Sequence, residues 1–285
     1  MEVTRTLEVA LRAVRSVDQA TLMWAEQICI NQQDDEEKTE QVKHMCFIYP
    51  EANTVLCWLG QGGGTVAKAF GALRRWAATR RRSNDPRKAR IAVTAETLQQ
   101  LAQDAEARDT LGKLFSRPWW RRAWTLQEVR QSATSRPILV CGEQQIVWYD
   151  FVMACYSMIT TLYNWERTYA FGFAIQHVLA MLEIAWAVGE KLRLSLLIST
   201  AARREATDPR DKVFALLDIA SNAAFRYPPA DYTLSVDEVC VKYTRAIIES
   251  EGSLAILRSI QRDTYNGAIV DHQTRFWARK RPCSG

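Results

Sequence analysis

Short apolar runs that end at glycine or at a polar loop set the strongest limit on the fold of this chain. TVLCWLG at 54–60 and PILVCG at 137–142 are too short for helices and rich in bulky apolar residues, so each predicts a buried strand. ATLMWAEQICI at 20–30, which runs into the polar stretch NQQDDEE, predicts an earlier strand. Because a helical pattern separates the runs at 20–30 and 54–60, their order favours a βαβ unit and a parallel sheet.

Helical periodicity accounts for most of the remaining chain. Apolar residues spaced along 7–14 predict an opening helix, and those along 36–49 predict an amphipathic helix that ends at Pro50. Another helix is predicted at about 94–107. After the strand at 137–142 the pattern is mainly helical.

Two later segments carry signals of a helix start. Asp208 is placed at the N-cap and Asp211 at the third helical position ahead of an apolar run. Ser235 and Glu238 have the spacing of a capping box. Arg210 stands between two acids, and we interpret it as pinning one chain segment to another in preference to binding a substrate.

The change in pattern along the chain predicts its domain organisation. An α/β core is expected over 1–150, and a mainly helical part of the same or a second domain over 151–285. Much of the net charge of +5 falls at 71–90, within a basic insertion predicted at about 61–110. A solvated insertion is the favoured interpretation, and this basic run alone argues too weakly for nucleic-acid binding.

Cysteine, histidine and hydropathy patterns narrow the class of protein. The seven cysteines are scattered without a CxxC pair, which favours free thiols, many of them buried, in a reducing compartment. The three histidines lie far apart, so no metal site and no cofactor is predicted. The sequence shows neither a signal peptide nor an apolar stretch long enough for a bilayer, and we predict a cytoplasmic location.

The stretch RPWWRRAWTLQEV at 117–129 carries the most unusual pattern. On a continuous helix, Trp120, Trp124 and Glu128 would share one face, since they are four residues apart. Trp119 and the two other tryptophans are best interpreted as core residues. A carboxylate that continues such a stripe is costly to bury unpaired.

Two interpretations of Glu128 remain open from the residues. The first places Glu128 in a pocket where its carboxylate does chemistry. The second makes it a structural partner of Arg121 or Arg210, which locks its helix to a neighbour. The spacing alone does not decide between them.

Four blocks of this sequence together resemble the fungal heterokaryon-incompatibility (HET) domain. They are WAEQICINQQDDEEKTEQVKHMCFIYPEANTVLCWLG, RPWWRRAWTLQEV, ATDPRDKVFALLDIA and DYTLSVDEVCVKYT, and they fall between about residues 21 and 257. The resemblance implies roles in non-self recognition and programmed cell death in filamentous fungi.

The resemblance also carries expectations about the fold. HET domains are distantly similar to TIR domains, which implies a TIR-like, flavodoxin-like parallel sheet. The family's opening strand, which reads like Ala-Leu-Ser-Tyr-x-Trp-Gly, has no counterpart before Trp24, so the resemblance predicts a sheet without its first strand. Glu26 stands where the family usually has aspartate.

The TIR analogy suggests a reaction. Some TIR domains hydrolyse NAD with a glutamate that follows a tryptophan at the spacing of Trp124 and Glu128. Nicotinamide leaves a cationic ring as a neutral molecule, so one carboxylate that stabilises the positive charge on the ribose can suffice. Glu128 is therefore the predicted catalytic residue, and NAD is a substrate in place of a cofactor. The predicted substrate-binding residues are Trp124, Trp24, Glu26, Asn31 and Arg121.

Two alternatives to an enzyme stay open. The chain could be a non-catalytic module that signals by self-assembly or by binding a partner, or a truncated and inactive paralogue. The expected partners are further copies of the chain or other incompatibility and NLR-type signalling proteins. Neither a membrane nor a nucleic acid is an expected partner.

Overall fold

The structure is a computed structural model. It describes residues 3–16, 18–80, 105–130, 136–161, 174–186, 192–220 and 227–260. Its secondary structure is mixed α/β and mostly helical.

The helices of the described residues are α1 (Arg5–Val14), α2 (Glu26–Cys29), α3 (Asp35–Glu51), α4 (Gly64–Arg80), α5 (Ala105–Phe115), α6 (Thr125–Arg130), α7 (Trp148–Thr161), α8 (Ala174–Trp186), α9 (Leu194–Ala201), α10 (Asp211–Leu217) and α11 (Val236–Glu251). Short 3₁₀ helices span Pro118–Arg121 and Ala255–Ile260. The strands are β1 (Leu56–Gly60), β2 (Ile138–Cys141) and β3 (Gln144–Val147).

The chain divides into two compact units, each assembled from three separate stretches. Unit 1 comprises Met1–Cys29, Pro50–Trp120 and Ser132–Leu182. Unit 2 comprises Ile30–Tyr49, Arg121–Gln131 and Glu183–Gly285. The units are therefore interleaved along the sequence, while the predicted boundary near residue 150 stays a prediction about domain organisation.

The sheet belongs to unit 1 and has three strands in the order β1-β2-β3. β1 pairs with β2 in parallel, and β2 pairs with β3 in antiparallel fashion. The turn between β2 and β3 passes through Gly142, whose φ of 56° suits glycine. The side chains of Cys57 and Leu59 on β1 are buried, whereas Leu56 at its start is 40% exposed.

Aromatic side chains fill the core of unit 1 where α4, α5 and α7 pack together. The rings of Trp120 and Phe151 stack with centroids 5.1 Å apart, and Phe115 meets both rings edge-on. The indole N–H of Trp120 donates to the backbone oxygen of Leu114 at 2.8 Å, which satisfies the polar atom of a fully buried ring.

Unit 2 is organised around the buried helix α10, which packs against α6 and α9. Phe214 of α10 meets the rings of Tyr232 and Tyr243, with centroids 4.9 Å and 5.8 Å apart. The predicted capping box of Ser235 and Glu238 is confirmed at the start of α11. These contacts explain why α10 and α11 form where the sequence places an apolar run behind a capping signal.

Several predicted elements are confirmed. β1 and β2 form within the two glycine-ended runs, and α1 and α3 occupy the predicted helical stretches, although α3 includes Pro50 and ends at Glu51 instead of at the proline. The predicted parallel sheet is only partly right, because β3 runs antiparallel to β2. Part of the helix predicted at about 94–107, and the basic run beyond Arg80, lie outside the described residues.

The predicted strand at 20–30 is wrong. Its second half forms α2, and its first half has no regular structure. Leu22 is fully exposed and Met23 is 39% exposed, so these apolar residues do not line a sheet. A short apolar run can have the same composition in a buried strand and in an exposed loop, and tertiary contacts decide between them.

The continuous helix predicted for RPWWRRAWTLQEV is also wrong. The 3₁₀ helix at Pro118–Arg121 ends before α6 begins, so Trp120 and Glu128 do not share a helix face. Trp119, Trp120 and Trp124 are nevertheless buried, which confirms their interpretation as core residues. The helix predicted to start behind Asp208 begins instead at Asp211, because an i→i+3 turn precedes it.

The cysteines of the described part of the chain are free, with Cys57, Cys141 and Cys155 buried. Burial raises the pKa of the Cys141 thiol, and it raises that of Cys155 further. Among the described residues, no cluster of histidine, cysteine and acidic side chains could hold a metal ion. Within the same residues, no helix is long and apolar enough to cross a bilayer.

Candidate functional site

Helix α6 carries the predicted catalytic glutamate, and its first turn closes on Trp124. The backbone N–H groups of Gln127 and Glu128 donate to the oxygen of Trp124 at 3.0 Å and 3.5 Å. The hydroxyl of Thr125 donates to the backbone oxygen of Arg122 at 2.8 Å. A six-residue helix is too short to be stable alone, so contacts with its neighbours hold it in place.

The two residues of the predicted tryptophan–glutamate pair differ in exposure. Glu128 is half-buried, while Trp124 is only 7% exposed. Glu128 thus retains access to solvent, as a group that meets a substrate requires. Trp124 presents little of its ring to solvent, so its main contacts are with the protein.

A buried polar network in unit 2 surrounds the carboxylate of Asp211, which is 7% exposed at the start of α10. The hydroxyl of Tyr232 donates to the same carboxylate at 2.5 Å. The backbone N–H of Tyr232 donates to the hydroxyl of Thr39 at 2.8 Å. The network therefore ties α3, α10 and the segment before α11 together.

Arg210 clamps the same region from one side. Its guanidinium pairs with Asp208 at 2.7 Å and donates to the backbone oxygens of Tyr232 and Leu234 at 2.5 Å and 2.8 Å. The fork of the guanidinium thereby joins the turn before α10 to the segment before α11. This geometry confirms that Arg210 pins two chain segments together.

Lys38 of α3 completes the network. Its ammonium lies 3.6 Å from a carboxylate oxygen of Asp208 and 3.8 Å from the centre of the Tyr232 ring. The guanidinium of Arg210 lies 5.1 Å from the same ring centre. The cations of Lys38 and Arg210 thus both lie close to the ring of Tyr232. All three side chains are mostly or fully buried.

The pKa values of Asp208 and Asp211 are shifted in opposite directions from their ordinary value. Burial raises the pKa of Asp208, but hydrogen bonds and charge from Arg210, with the charge of Lys38, outweigh it and leave the pKa below its ordinary value. Burial also raises the pKa of Asp211, and there the donors and Lys38 only partly offset it. Asp208 is a firmly ionised ion-pair partner, whereas Asp211 is a buried carboxyl closer to protonation.

Arg121 and Asn31 are the other predicted site residues of unit 2. The Nε atom of Arg121 lies 3.4 Å from an oxygen of Glu205. The backbone N–H of Asn31 donates to the carboxylate of Glu37 at 3.0 Å, in an exposed turn ahead of α3. Since Arg121 pairs with Glu205 and Arg210 with Asp208, both arginines considered as partners of Glu128 engage other acids.

Trp24 and Glu26 belong to unit 1, whereas Trp124, Glu128, Arg121 and Asn31 belong to unit 2. Trp24 and Glu26 are both half-buried, and Glu26 is the first residue of α2. Trp24 and Glu26 lie in the stretch predicted as a strand at 20–30, but the described residues there form α2 and irregular structure. Their role in binding a substrate stays a prediction.

From the sequence, Trp124 and Arg210 can be identified, but the burial of the Asp211 carboxyl is missed. Asp211 was interpreted only as a helix-capping acid, and Tyr232 and Lys38 were not singled out. One available signal was the position of Asp211 in the first turn of a helix whose next turn is wholly apolar. Its partners could not be identified, because Thr39 and Tyr232 are 193 positions apart.

Comparison with known proteins shows which family this chain resembles. Residues 1–128 match the family model described as Heterokaryon incompatibility protein (HET). A curated relative from Neurospora crassa, named Heterokaryon incompatibility protein 6, OR allele, is 25% identical over 306 residues. Both findings are similarities to heterokaryon-incompatibility proteins. No solved structure matches the chain.

The two matches differ in how much of the chain they cover. The HET family model ends at Glu128 and so includes Trp124 but not Asp211 or Tyr232. The match to the Neurospora protein covers 92% of this chain but 44% of that relative. The chain therefore spans less than half the length of the curated relative it matches.

Proposed function

We propose that this protein acts in fungal non-self recognition, as a heterokaryon-incompatibility factor whose signal is programmed cell death. The observation that carries the proposal is the HET family match over residues 1–128. The Neurospora relative, whose name states heterokaryon incompatibility, supports it. Because the chain spans 44% of that relative, the proposal concerns the part that the two proteins share.

Controlled expression in a filamentous fungus tests this role. The chain would be expressed in one strain, which is then fused with a panel of strains of different incompatibility genotype. We expect growth arrest and death of the fused cells in at least one pairing, while the empty-vector strain gives viable fusions in all of them. Full expression with every pairing as viable as the vector control would contradict the proposal.

For the mechanism, we propose a TIR-like α/β fold that hydrolyses NAD at Glu128. The parallel pairing of β1 with β2 supports the fold, although three strands alone do not distinguish it from other α/β folds. The half-buried position of Glu128, one helical turn after Trp124, supports the role of its carboxylate.

The reaction needs little from the protein beyond one well-placed carboxylate. The bond between nicotinamide and ribose breaks with its electron pair passing to the ring nitrogen, which becomes neutral. Water forms the new bond to the ribose carbon and gives up a proton, so that ADP-ribose and nicotinamide are the products. Glu128 would stabilise the positive charge on the ribose in the transition state, and Arg121 would contact a phosphate.

Nicotinamide release from NAD by the purified full-length chain tests this mechanism. We expect turnover in the wild type and a loss of about 100-fold or more in Glu128→Gln, which keeps the size but removes the charge. Glu249→Gln is the matched control, because Glu249 is an exposed glutamate on α11. Equal turnover in Glu128→Gln and the wild type would exclude Glu128 as the catalytic residue.

A non-catalytic signalling module is the second candidate. The buried position of Trp124 favours it, because it indicates a structural role for the tryptophan of the predicted pair. Such a module would signal by self-assembly or by binding other incompatibility or NLR-type proteins.

Light scattering across a concentration series separates the second candidate from the first. A non-catalytic module should form oligomers as its concentration rises and release no nicotinamide from NAD. A chain that stays monomeric and turns over NAD would contradict self-assembly as the means of signalling.

A further inference from the structure

The side chain of Gln127 joins helix α6 to the end of helix α10. Gln127 is the third residue of α6 and is fully buried. Its side-chain amide donates to the carboxylate of Asp218 at 3.1 Å, and Asp218 is the C-cap residue of α10. The two residues are 91 positions apart, so the bond depends on the packing of α6 against α10.

The other half of the same amide is unsatisfied. The Oε1 atom of Gln127 is buried and has no hydrogen-bond partner among the described residues. A buried acceptor without a donor costs folding free energy, and an apolar side chain of similar length would avoid that cost. Gln127 thus adds little net stability through its one hydrogen bond. What the bond does supply, and an apolar contact does not, is a direction.

That direction bears on Glu128 through the geometry of a helix. Consecutive side chains leave a helix about 100° apart, so the orientation of Gln127 determines that of Glu128. Thr125, Leu126 and Val129 of α6 are buried like Gln127, whereas Glu128 is half-buried. A bond that fixes the rotation of α6 about its axis therefore keeps the Glu128 carboxylate on an accessible face.

Backbone pairing fixes the chain ahead of α6. The N–H of Ala123 donates to the oxygen of Glu205 at 2.9 Å, and the N–H of Glu205 donates to the oxygen of Arg121 at 2.5 Å. Within α6, Arg130 at the last residue donates to the oxygen of Ile184 at 3.4 Å, which is a longer and weaker bond than that of Gln127. A helix of six residues has little stability of its own, so its rotation depends on such side-chain contacts.

We propose that Gln127 is a positioning residue for Glu128: its hydrogen bond to Asp218 fixes the rotation of α6 and thereby the direction in which the Glu128 carboxylate points. The inference rests on the proposed function only for its effect on turnover. The effect on α6 itself can be measured whether or not the chain hydrolyses NAD.

Hydrogen exchange of full-length protein, read by mass spectrometry on the peptide that contains α6, tests the role of Gln127. Gln127→Met keeps the length of the side chain and removes the hydrogen bond, and we expect the amides of α6 to exchange about 10-fold faster or more. The midpoint of chemical denaturation should stay close to that of the wild type, because the unsatisfied Oε1 is lost together with the bond. Gln145→Met, at an exposed glutamine of β3, is the matched control and should change neither readout.

Two variants of the acceptor keep the test decisive if Gln127→Met fails to fold. Asp218→Ala removes the acceptor, whereas Asp218→Asn keeps a side-chain oxygen that can accept the amide N–H of Gln127. We expect fast exchange of α6 in Asp218→Ala and slow exchange in Asp218→Asn. Equal exchange in these two variants, or wild-type exchange in a folded Gln127→Met, would overturn the proposal.

Turnover of NAD gives the second readout. In Gln127→Met we expect kcat to fall about 10- to 100-fold with little change in KM, because a misdirected carboxylate weakens transition-state stabilisation more than binding. Full turnover in a variant whose α6 exchanges quickly would overturn the link to Glu128. If the wild type itself releases no nicotinamide but the exchange pattern is as expected, the proposed chemistry is contradicted and the positioning role of Gln127 is supported.

Discussion

Tyr232 shows how much of unit 2 depends on a single side chain. The residue is fully buried, yet each of its polar groups has a partner: the hydroxyl donates to Asp211 and the backbone N–H donates to Thr39. Its ring lies beside the cations of Lys38 and Arg210. One side chain therefore satisfies a buried acid, fills the core and faces two charges.

Replacing Tyr232 with phenylalanine should destabilise the protein by about 1–3 kcal/mol at neutral pH, since the buried carboxylate loses a donor. The phenol favours the ionised form of Asp211, so the loss should shrink as the pH falls and Asp211 takes up a proton. Chemical denaturation at several pH values measures both effects. Tyr149→Phe, at a tyrosine 53% exposed, is the control and should change little. A loss that is independent of pH would contradict the assignment of the hydroxyl to Asp211.

The limits of sequence reasoning are clear at this scale. Trp124 and Glu128 could be identified from their spacing, and Arg210 from its position between two acids. The acceptor of the Tyr232 hydroxyl could not be, because Asp211 is 21 positions away and only the packing around α10 brings the two together. Hydrogen bonds between distant segments leave no periodic pattern in the sequence.

At the scale of elements, apolar composition predicted strands correctly only where the apolar run also ends at a glycine. The runs that form β1 and β2 both end at a glycine with positive φ, Gly60 and Gly142. The run at 20–30 has no such ending, and its apolar residues Leu22 and Met23 are exposed. Pattern therefore identified candidates, and turn chemistry distinguished two true strands from a false one.

Gly142→Ala should destabilise the protein by more than the cost of placing alanine in a left-handed backbone conformation. A Cβ atom there would lie 2.5 Å from the backbone nitrogen of Gly62, in addition to the cost of a φ of 56°. We expect a loss of at least about 2 kcal/mol. Gly252→Ala is the matched control, with a φ of 61° and no atom within 4 Å of the added carbon, and should cost about 1 kcal/mol.

Chemical denaturation of both variants, with Gly63→Ala as a neutral reference, measures the difference. Gly63 has an ordinary φ and open space around an added carbon, so its replacement should leave stability nearly unchanged. Equal losses in Gly142→Ala and Gly252→Ala would show that the approach of the two backbones contributes nothing.

At the scale of the whole molecule, the interleaving of the two units is the dominant feature. Each unit takes three stretches of the chain, and the boundaries between these stretches do not follow from local composition. The sequence predicted a mixed α/β protein that becomes mainly helical, and the structure agrees at that level. Which stretches share a core depends on long-range packing, for which a single sequence carries little signal.

A fragment limited to the family match, residues 1–128, should not fold by itself. It keeps β1 but lacks β2, which is the only pairing partner of β1 in the described residues, and it lacks Phe151, which stacks on Trp120. We expect poorly dispersed amide resonances and no cooperative unfolding from the fragment, with the full chain as the control. A well-dispersed spectrum from the fragment would contradict this view of unit 1.

The separation of β1 from β2 along the chain also has a consequence for synthesis. β1 leaves the ribosome long before its partner, since roughly 80 residues separate them and translation proceeds at about 5–20 residues per second. For several seconds its apolar side chains and unpaired backbone have no native partner. A nascent chain with such an exposed edge is a natural client for chaperones, and slower translation between the strands would lengthen its exposure to aggregation.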